Sequence, residues 1–309
     1  MPEPRFHSSD WKRLQALRDR FLSDASDEYW TPRDLELYDA TFAQRIGWKW
    51  DSALAALGNW RPASSHLLDW GCGTGIAARA VAEWSGIRSV TVYDQSRAAA
   101  AFAAESLRRM GVAASSESRL PASVPPGTLL VISHVIGELD DSELEALAAF
   151  ASTADEVLWV EPGSREISRR LSAARERLRA AGLSFIAPCT HQFPCPMLAP
   201  ENERHWCHFF APPPPEVFQS AFWREFSERL QIDLRALPFS FLAASRTPPP
   251  GSAAERIVGR PRERKAHVEL LCCGKEGLRD RVLQKRENPE LFRKLTKKVA
   301  HGALTWHPK

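Results

Sequence analysis

The spacing of apolar and polar positions changes character at residue 66. Before it, residues 10–60 read as helical and aromatic, with Leu14, Leu17, Phe21 and Leu22 spaced for one helical face. Trp11, Trp30, Trp48, Trp50 and Trp60 fall in this stretch, where tryptophans are expected to be packing residues. From residue 66, short apolar runs at His66–Trp70, Ser89–Tyr93, Thr128–Ser133 and Glu156–Val160 alternate with helix-like stretches at Ile76–Trp84, Arg97–Met110 and Ser142–Ala151. That alternation predicts an α/β fold with a doubly wound, mainly parallel sheet. Parallel strands covered on both faces read as continuous apolar runs, and Leu129-Leu130-Val131-Ile132 is one. Arg165–Ala180 is an amphipathic helix, with Ile167, Leu171, Ala174 and Leu178 on one face and Arg169, Arg170 and Arg177 largely off it.

The rhythm breaks at residues 183–215, which are rich in Pro, Cys, His and Phe and end in the run Pro212 to Pro215. Such a segment buries little apolar surface of its own. Phe239–Ala244 is placed to return to the sheet, Thr247–Ser252 reads as a linker, and Arg256–Val258 and His267–Cys272 are candidate strands before a basic segment, Arg279–Lys298. The expected organisation is a helical N-terminal segment (1–62), a main domain (63–246) with a Cys/Pro-rich insertion at about 187–215, and a basic C-terminal segment (247–309) that contributes strands.

Charge sharpens this division. The chain has 309 residues and a net charge of +3, but residues 1–254 carry −5 and residues 255–309 carry +8. A basic segment on a near-neutral body predicts a polyanionic partner, RNA, with no DNA or membrane expected, against the plainer reading of a solvated face. No run of eighteen apolar residues predicts a membrane span. The polar start, Met1 to Asp10, lacks a secretory or transit pattern, so a cytoplasmic protein is expected. In that compartment six cysteines are reduced, buried or metal-bound rather than disulfide-bonded.

The strongest local motif is Asp69-Trp70-Gly71-Cys72-Gly73-Thr74-Gly75, which follows an apolar strand and opens a helix. Glycines there let the backbone turn sharply and approach a ligand. Nineteen residues past Gly75, at the end of the second strand, Asp94 is placed to accept hydrogen bonds from ribose hydroxyls. A dinucleotide pattern counted from Gly71 fails at Ile76; counted from Gly73 it ends on Ala78, which it tolerates. The acidic residue two before three alternating glycines resembles more closely the first motif of S-adenosylmethionine methyltransferases. Asp69, Gly71, Cys72, Gly73, Gly75, Asp94 and Ser133 are therefore the candidate cofactor residues. Ser133-His134-Val135-Ile136-Gly137-Glu138 follows the fourth strand, where that fold places substrate-facing residues, and His134 is a candidate general base against a structural role. The segment has neither the Asn/Asp-Pro-Pro-Tyr of enzymes that methylate exocyclic base amines nor a Pro-Cys nucleophile.

Cys72 lies in the glycine loop. Cys189, Cys195 and Cys207 lie in the irregular stretch, and Cys272 and Cys273 on a distant candidate strand. A metal centre that staples the loop to the domain accounts for this distribution. Zinc sites favour paired knuckles, which are absent; iron–sulfur sites tolerate irregular spacing and often have Cys followed by Pro. Zinc, with His191, His205 and His208 as further ligands, and plain buried thiols remain the alternatives.

Taken together, Asp69–Gly75, Ser133–Leu139, Glu161-Pro162-Gly163, Ala187-Pro188-Cys189 through Cys195-Pro196, Trp206-Cys207-His208-Phe209 and Cys273-Gly274-Lys275-Glu276-Gly277 resemble the mitochondrial small-ribosomal-subunit methyltransferase-like family of the methyltransferase-like protein 17 type, with its bacterial relatives. The resemblance covers nearly the whole chain. It implies association with the small ribosomal subunit or its RNA, and a 4Fe-4S cluster on Cys189, Cys195, Cys207 and one of the adjacent pair. Cys273 is preferred, because the family's cysteine stands three residues before a Glu-Gly, here Glu276-Gly277. Catalysis is not firmly implied by it. The expectation is an S-adenosylmethionine-dependent methyltransferase acting on ribosomal RNA. The alternatives are a non-catalytic assembly factor on the same fold and a zinc-stapled enzyme for a small molecule.

Overall fold

A computed structural model of the chain describes residues 4–22, 30–296 and 302–307. The aromatic N-terminal stretch forms α1 (Ser8–Leu22), α2 (Pro32–Ala40) and α3 (Phe42–Ala55). Thr31 caps α2 through a reciprocal capping box with Asp34, and Pro32 starts the helix where a missing N–H costs nothing. Leu14, Leu17, Trp48 and Trp50 are buried as their spacing predicts, while the side chains of Phe21 and Leu22 lie outside the described residues.

The main sheet then begins. Its parallel strands are β1 (His66–Trp70), β2 (Ser89–Tyr93), β3 (Ala113–Glu117), β4 (Thr128–Ser133) and β5 (Glu156–Pro162), connected through α4 (Ile76–Ser85), α5 (Arg97–Arg109) and α6 (Asp141–Ala151). α7 (Arg165–Ala180) leads to β6 (Ser184–Ala187), β7 (Phe209–Ala211), α8 (Ala221–Leu230) and β8 (Leu237–Ser245). β8 runs antiparallel between β5 and β6, which gives the order β3-β2-β1-β4-β5-β8-β6. This is the sheet of the S-adenosylmethionine methyltransferase type. β6 and β7 pair with opposite ends of the same β8 edge, so residues 188–208 span the gap between them.

One face of the sheet is covered by α3, α4, α5 and α8 with the N-terminal helices, the other by α6 and α7. Residues 255–306 add a smaller antiparallel sheet: β9 (Glu255–Glu263), β10 (His267–Gly274), β11 (Gly277–Gln284) and β12 (Thr305–Trp306), in the order β11-β10-β9-β12, with α9 (Pro289–Thr296) packed on it. No helix among the described residues is long and apolar enough to cross a membrane.

Candidate functional site

The carboxyl ends of β1, β2 and β4 open into a cleft of about 700 Å³. Gly71, Gly73 and Gly75 all have positive φ, which side chains resist. A Cβ at Gly71 would stand 2.7 Å from Val135 Cγ1 and one at Gly75 2.8 Å from Ala103 Cβ, whereas one at Gly73 would meet nothing within 4 Å. Two glycines are thus required by packing. The third leaves open space on the wall of the cleft.

Asp69 lies fully buried beneath this loop. Its Oδ2 accepts from the Ala78 amide at 3.3 Å, while Oδ1 has no hydrogen-bond partner. Burial raises its carboxyl to about 8. Asp94 Oδ2 accepts from the Gly73 amide and Oδ1 from the Ser96 amide, each at 2.8 Å. The carboxylate placed by sequence for a ribose thereby also shapes the glycine loop, and the residue lines the cleft. Cys72 is buried in the loop, and burial pushes its thiol well above the ordinary range. Trp30 and Tyr38, edge-to-face at 5.3 Å, pack against the core as expected and also line the cleft.

Ser133 and His134 line the same cleft. His134 adopts a left-handed backbone (φ 58°), unusual for a residue with a side chain. Its Nε2 lies 2.9 Å from Lys49 Nζ and its Nδ1 3.2 Å from Ser133 Oγ, which also accepts from Trp50 Nε1 at 2.9 Å. Both ring nitrogens are therefore engaged by the protein. Glu161, at the end of β5, is fully buried; Oε1 accepts from the Val135 amide at 3.1 Å and from Trp159 Nε1 at 2.7 Å, fixing the turn that follows His134. Burial raises the Glu161 carboxyl to about 7 despite these donors, and lowers Lys49 to about 7. Lys49 escaped the sequence reading; its signal was a lysine set between two tryptophans of an amphipathic helix.

The second site lies at the gap along β8. Cys189, Cys195, Cys207 and Cys273 are free thiols that interact with one another electrostatically. Their loop is tied down by α7 rather than by a core of its own. Arg175, 3% exposed in its residue's burial, donates through Nε to Cys189 Sγ at 3.3 Å and through Nη2 to the Phe193 carbonyl at 3.0 Å. Glu176 Oε1 accepts from the Cys195 amide at 3.0 Å, and Arg169 Nη1 donates to the Met197 carbonyl at 2.7 Å. From the small sheet, buried Arg256 donates to the Pro188 carbonyl at 2.7 Å and interacts with Cys189, Cys207 and Cys273. Burial raises the thiols of Cys195, Cys207 and Cys273. The adjacent Cys272 sits in the core of the small sheet instead. His191 Nε2 lies 3.7 Å from Cys273 Sγ, whereas His208 stacks on Trp206 at 4.5 Å. No group of three or more His, Cys, Asp or Glu among the described residues is arranged to hold a single metal ion.

The basic C-terminal segment is partly neutralised. Arg279 pairs with Glu276, Arg281 with Glu255 and Lys294 with Glu290, while Lys297 and Lys298 lie outside the described residues.

The family described as mitochondrial small ribosomal subunit Rsm22 matches residues 39–305, which include the glycine loop and the four cysteines but not Trp30 and Tyr38 of the cleft wall. The chain belongs to the Rsm22 family. Its matched span runs from the end of α2 to β12, so in this Rsm22 protein the small sheet is part of the family unit. None of the curated proteins matches the chain. Solved structures similar to it include magnesium protoporphyrin IX methyltransferase from Synechocystis PCC 6803 with bound SAH (13% identity, 77% of this chain and 100% of that one, TM-score 0.40). A SAM-dependent methyltransferase from Aquifex aeolicus is 14% identical over 51% of this chain and 90% of its own, with a TM-score of 0.39. Geranyl diphosphate C-methyltransferase from Streptomyces coelicolor A3(2) is 15% identical over 73% and 88%, with a TM-score of 0.38.

Proposed function

We propose that this Rsm22-family protein is an S-adenosylmethionine-dependent methyltransferase that works on RNA of the small ribosomal subunit and carries a 4Fe-4S cluster on Cys189, Cys195, Cys207 and Cys273. The observation that carries the cofactor reading is the unpartnered Oδ1 of buried Asp69, set beneath a glycine loop whose middle glycine faces open space. A buried carboxyl oxygen without a partner is costly; a cationic ligand group, such as the ammonium of S-adenosylmethionine, would pair with it and favour its charged form. Asp69, Gly71, Cys72, Gly73, Gly75, Asp94 and Ser133 would hold the cofactor. Bound there, it supplies an electrophilic methyl group. The chain's residues place the acceptor against it and exclude water, which is where most of the rate would come from.

The four thiols fit a cluster through their counter-charges. Four thiolates around a cationic iron–sulfur core leave a net negative charge; buried Arg256, and Arg175, whose charge is shared with its ion pair to Glu176, stand against them from two different elements. Zinc, which favours paired cysteine knuckles that this sequence lacks, is the weaker alternative. The family's description supports the small ribosomal subunit as partner, and the compartment is then the one that holds that ribosome, mitochondrial or cytoplasmic. In this reading the N-terminal segment (1–62) lends Trp30, Leu35, Tyr38 and Ile46 to the cleft, residues 63–246 hold cofactor and cluster loop, and the C-terminal segment (247–309) supplies Cys273 and basic residues for RNA.

A second reading, an assembly factor without chemistry, is favoured by one observation: His134, the candidate base, already has both ring nitrogens engaged. Incubation of anaerobically purified protein with methyl-labelled S-adenosylmethionine and small ribosomal subunits separates the two. Label in the RNA is expected; a protein that binds cofactor and subunit but leaves the RNA unlabelled is an assembly factor.

A further inference from the structure

We infer that Lys49, His134 and Ser133 form a proton relay that carries the proton released at the methyl acceptor from the cleft into the protein interior. The inference rests on the methyltransferase reading above and adds to it the route and the terminal proton acceptor.

The geometry is a continuous chain. Lys49 Nζ lies 2.9 Å from His134 Nε2, His134 Nδ1 lies 3.2 Å from Ser133 Oγ, and Trp50 Nε1 donates to that same oxygen at 2.9 Å. Trp50 is 1% exposed and, like Lys49, belongs to α3, so one helix fixes both ends of the chain. The left-handed backbone of His134 turns its ring into line.

Two proton arrangements satisfy these contacts. With Lys49 as ammonium, Nζ donates to Nε2, the imidazole proton sits on Nδ1 and donates to Ser133 Oγ. With Lys49 as amine, Nε2–H donates to Nζ and Nδ1 accepts the Ser133 hydroxyl proton. In the second arrangement Ser133 Oγ presents a lone pair to the cleft. The imidazole is neutral in both. Burial, with Lys49 and Arg45, holds it well below its ordinary range. The relay differs from a histidine base because the ring changes tautomer rather than charge.

Lys49 is suited to end such a chain. Burial and Arg45 on its own helix lower it to about 7, while Glu161 from β5 opposes them. The other elements on α3 add little. Asp39 of α2 and Arg79 of α4 pair with each other, Asp51 of α3 faces Glu83 of α4, and β7 and β8 bring apolar side chains such as Phe209 and Phe239.

The balance closes. The acceptor's X–H bond breaks, its electron pair goes to the methyl carbon of the sulfonium donor, and the donor sulfur keeps the pair of the bond that breaks. The acceptor proton passes to Ser133 Oγ, the serine proton to His134 Nδ1 and the Nε2 proton to Lys49, which ends as ammonium. Lys49 acts through its neighbours and is a positioning residue in this scheme.

The test is selective ¹⁵N-histidine NMR from pH 5.5 to 9, with His134 assigned from a His134→Gln spectrum. The protonated nitrogen of His134 is expected to switch from Nδ1 to Nε2 with a midpoint near pH 7, and to stay fixed in Lys49→Met and in Lys49→Arg, whose guanidinium does not titrate. A wild-type ring that keeps one tautomer across the range overturns the relay. Methyl-transfer rates give the second arm: wild type rises through about pH 7, and both variants lose that limb with cofactor affinity within about twofold of wild type. An unshifted limb in Lys49→Arg also overturns the relay. A tautomer switch without any methyl transfer overturns the enzyme reading and the relay with it, and leaves only a coupled Lys49–His134 titration; a fixed tautomer in a protein that does transfer methyl overturns the relay alone.

Discussion

Cys272 and Cys273 are consecutive residues of β10 that face opposite sides of the small sheet: Cys272 is fully buried in that sheet's core, and Cys273 lies 3.7 Å from His191 Nε2 beside the cysteine loop. Period-two alternation makes them chemically distinct. Cys273→Ser is expected to lose most of the protein's iron and colour while the fold persists. Cys272→Ala is expected to keep the iron and to cost about 1 kcal/mol of stability as a small core cavity. Iron analysis and thermal melts of both variants check this, and equal iron loss in the two would remove the distinction.

Arg175 is expected to matter to the loop beyond its charge. It holds Cys189 Sγ and the Phe193 carbonyl at once from a buried position on α7. Arg175→Met leaves those acceptors without a donor and is expected to cost about 3 kcal/mol. Hydrogen exchange should speed up over residues 189–207 and leave the β1–β4 ladder protected. Uniform protection in the variant would show that the loop is held by something else.

The glycine loop separates packing from binding. Gly75→Ala faces both a positive φ of 79° and a Cβ 2.8 Å from Ala103, a loss of about 3 kcal/mol. Gly73→Ala meets open space and pays mainly for its φ of 51°, about 1 kcal/mol. Melting curves are expected to rank the variants in that order.

Asp69 gives the protein a pH dependence of known sign. Its folded carboxyl is raised to about 8 against the usual 3.8, so the folded state holds the proton more tightly than the unfolded chain. The stability this contributes is full below about pH 4 and is lost as pH rises toward 8. Asp69→Asn is therefore expected to match wild type near pH 4 and to exceed it by a few kcal/mol at pH 8. Denaturant midpoints at the two pH values test this; a gap that does not grow with pH contradicts it.

Much of the fold was legible from periodicity because buried strands and amphipathic helices carry strong patterns, as in Leu129–Ile132 and α7. Residues 113–117 escaped because β3 is an edge strand of small and polar residues, mostly exposed. α8 escaped although Phe222, Phe226 and Leu230 recur every four residues, since it is short and follows the proline run. β11 reads as part of a basic segment because the acid that pairs with its Arg281, Glu255, is distant in sequence. At the sites, the glycine loop and the cysteines announce themselves by residue type. Arg175 and Lys49 do not: each is a charge on a helix face that packs inward, and only the fold shows what it meets.

The account stands most directly on one measurement, calorimetric titration of S-adenosylmethionine into anaerobically purified wild type and Gly73→Val. Saturable one-to-one binding to wild type, weakened more than about tenfold in a variant that still melts cooperatively, is the predicted result. A folded wild-type protein that takes up no S-adenosylmethionine would contradict it.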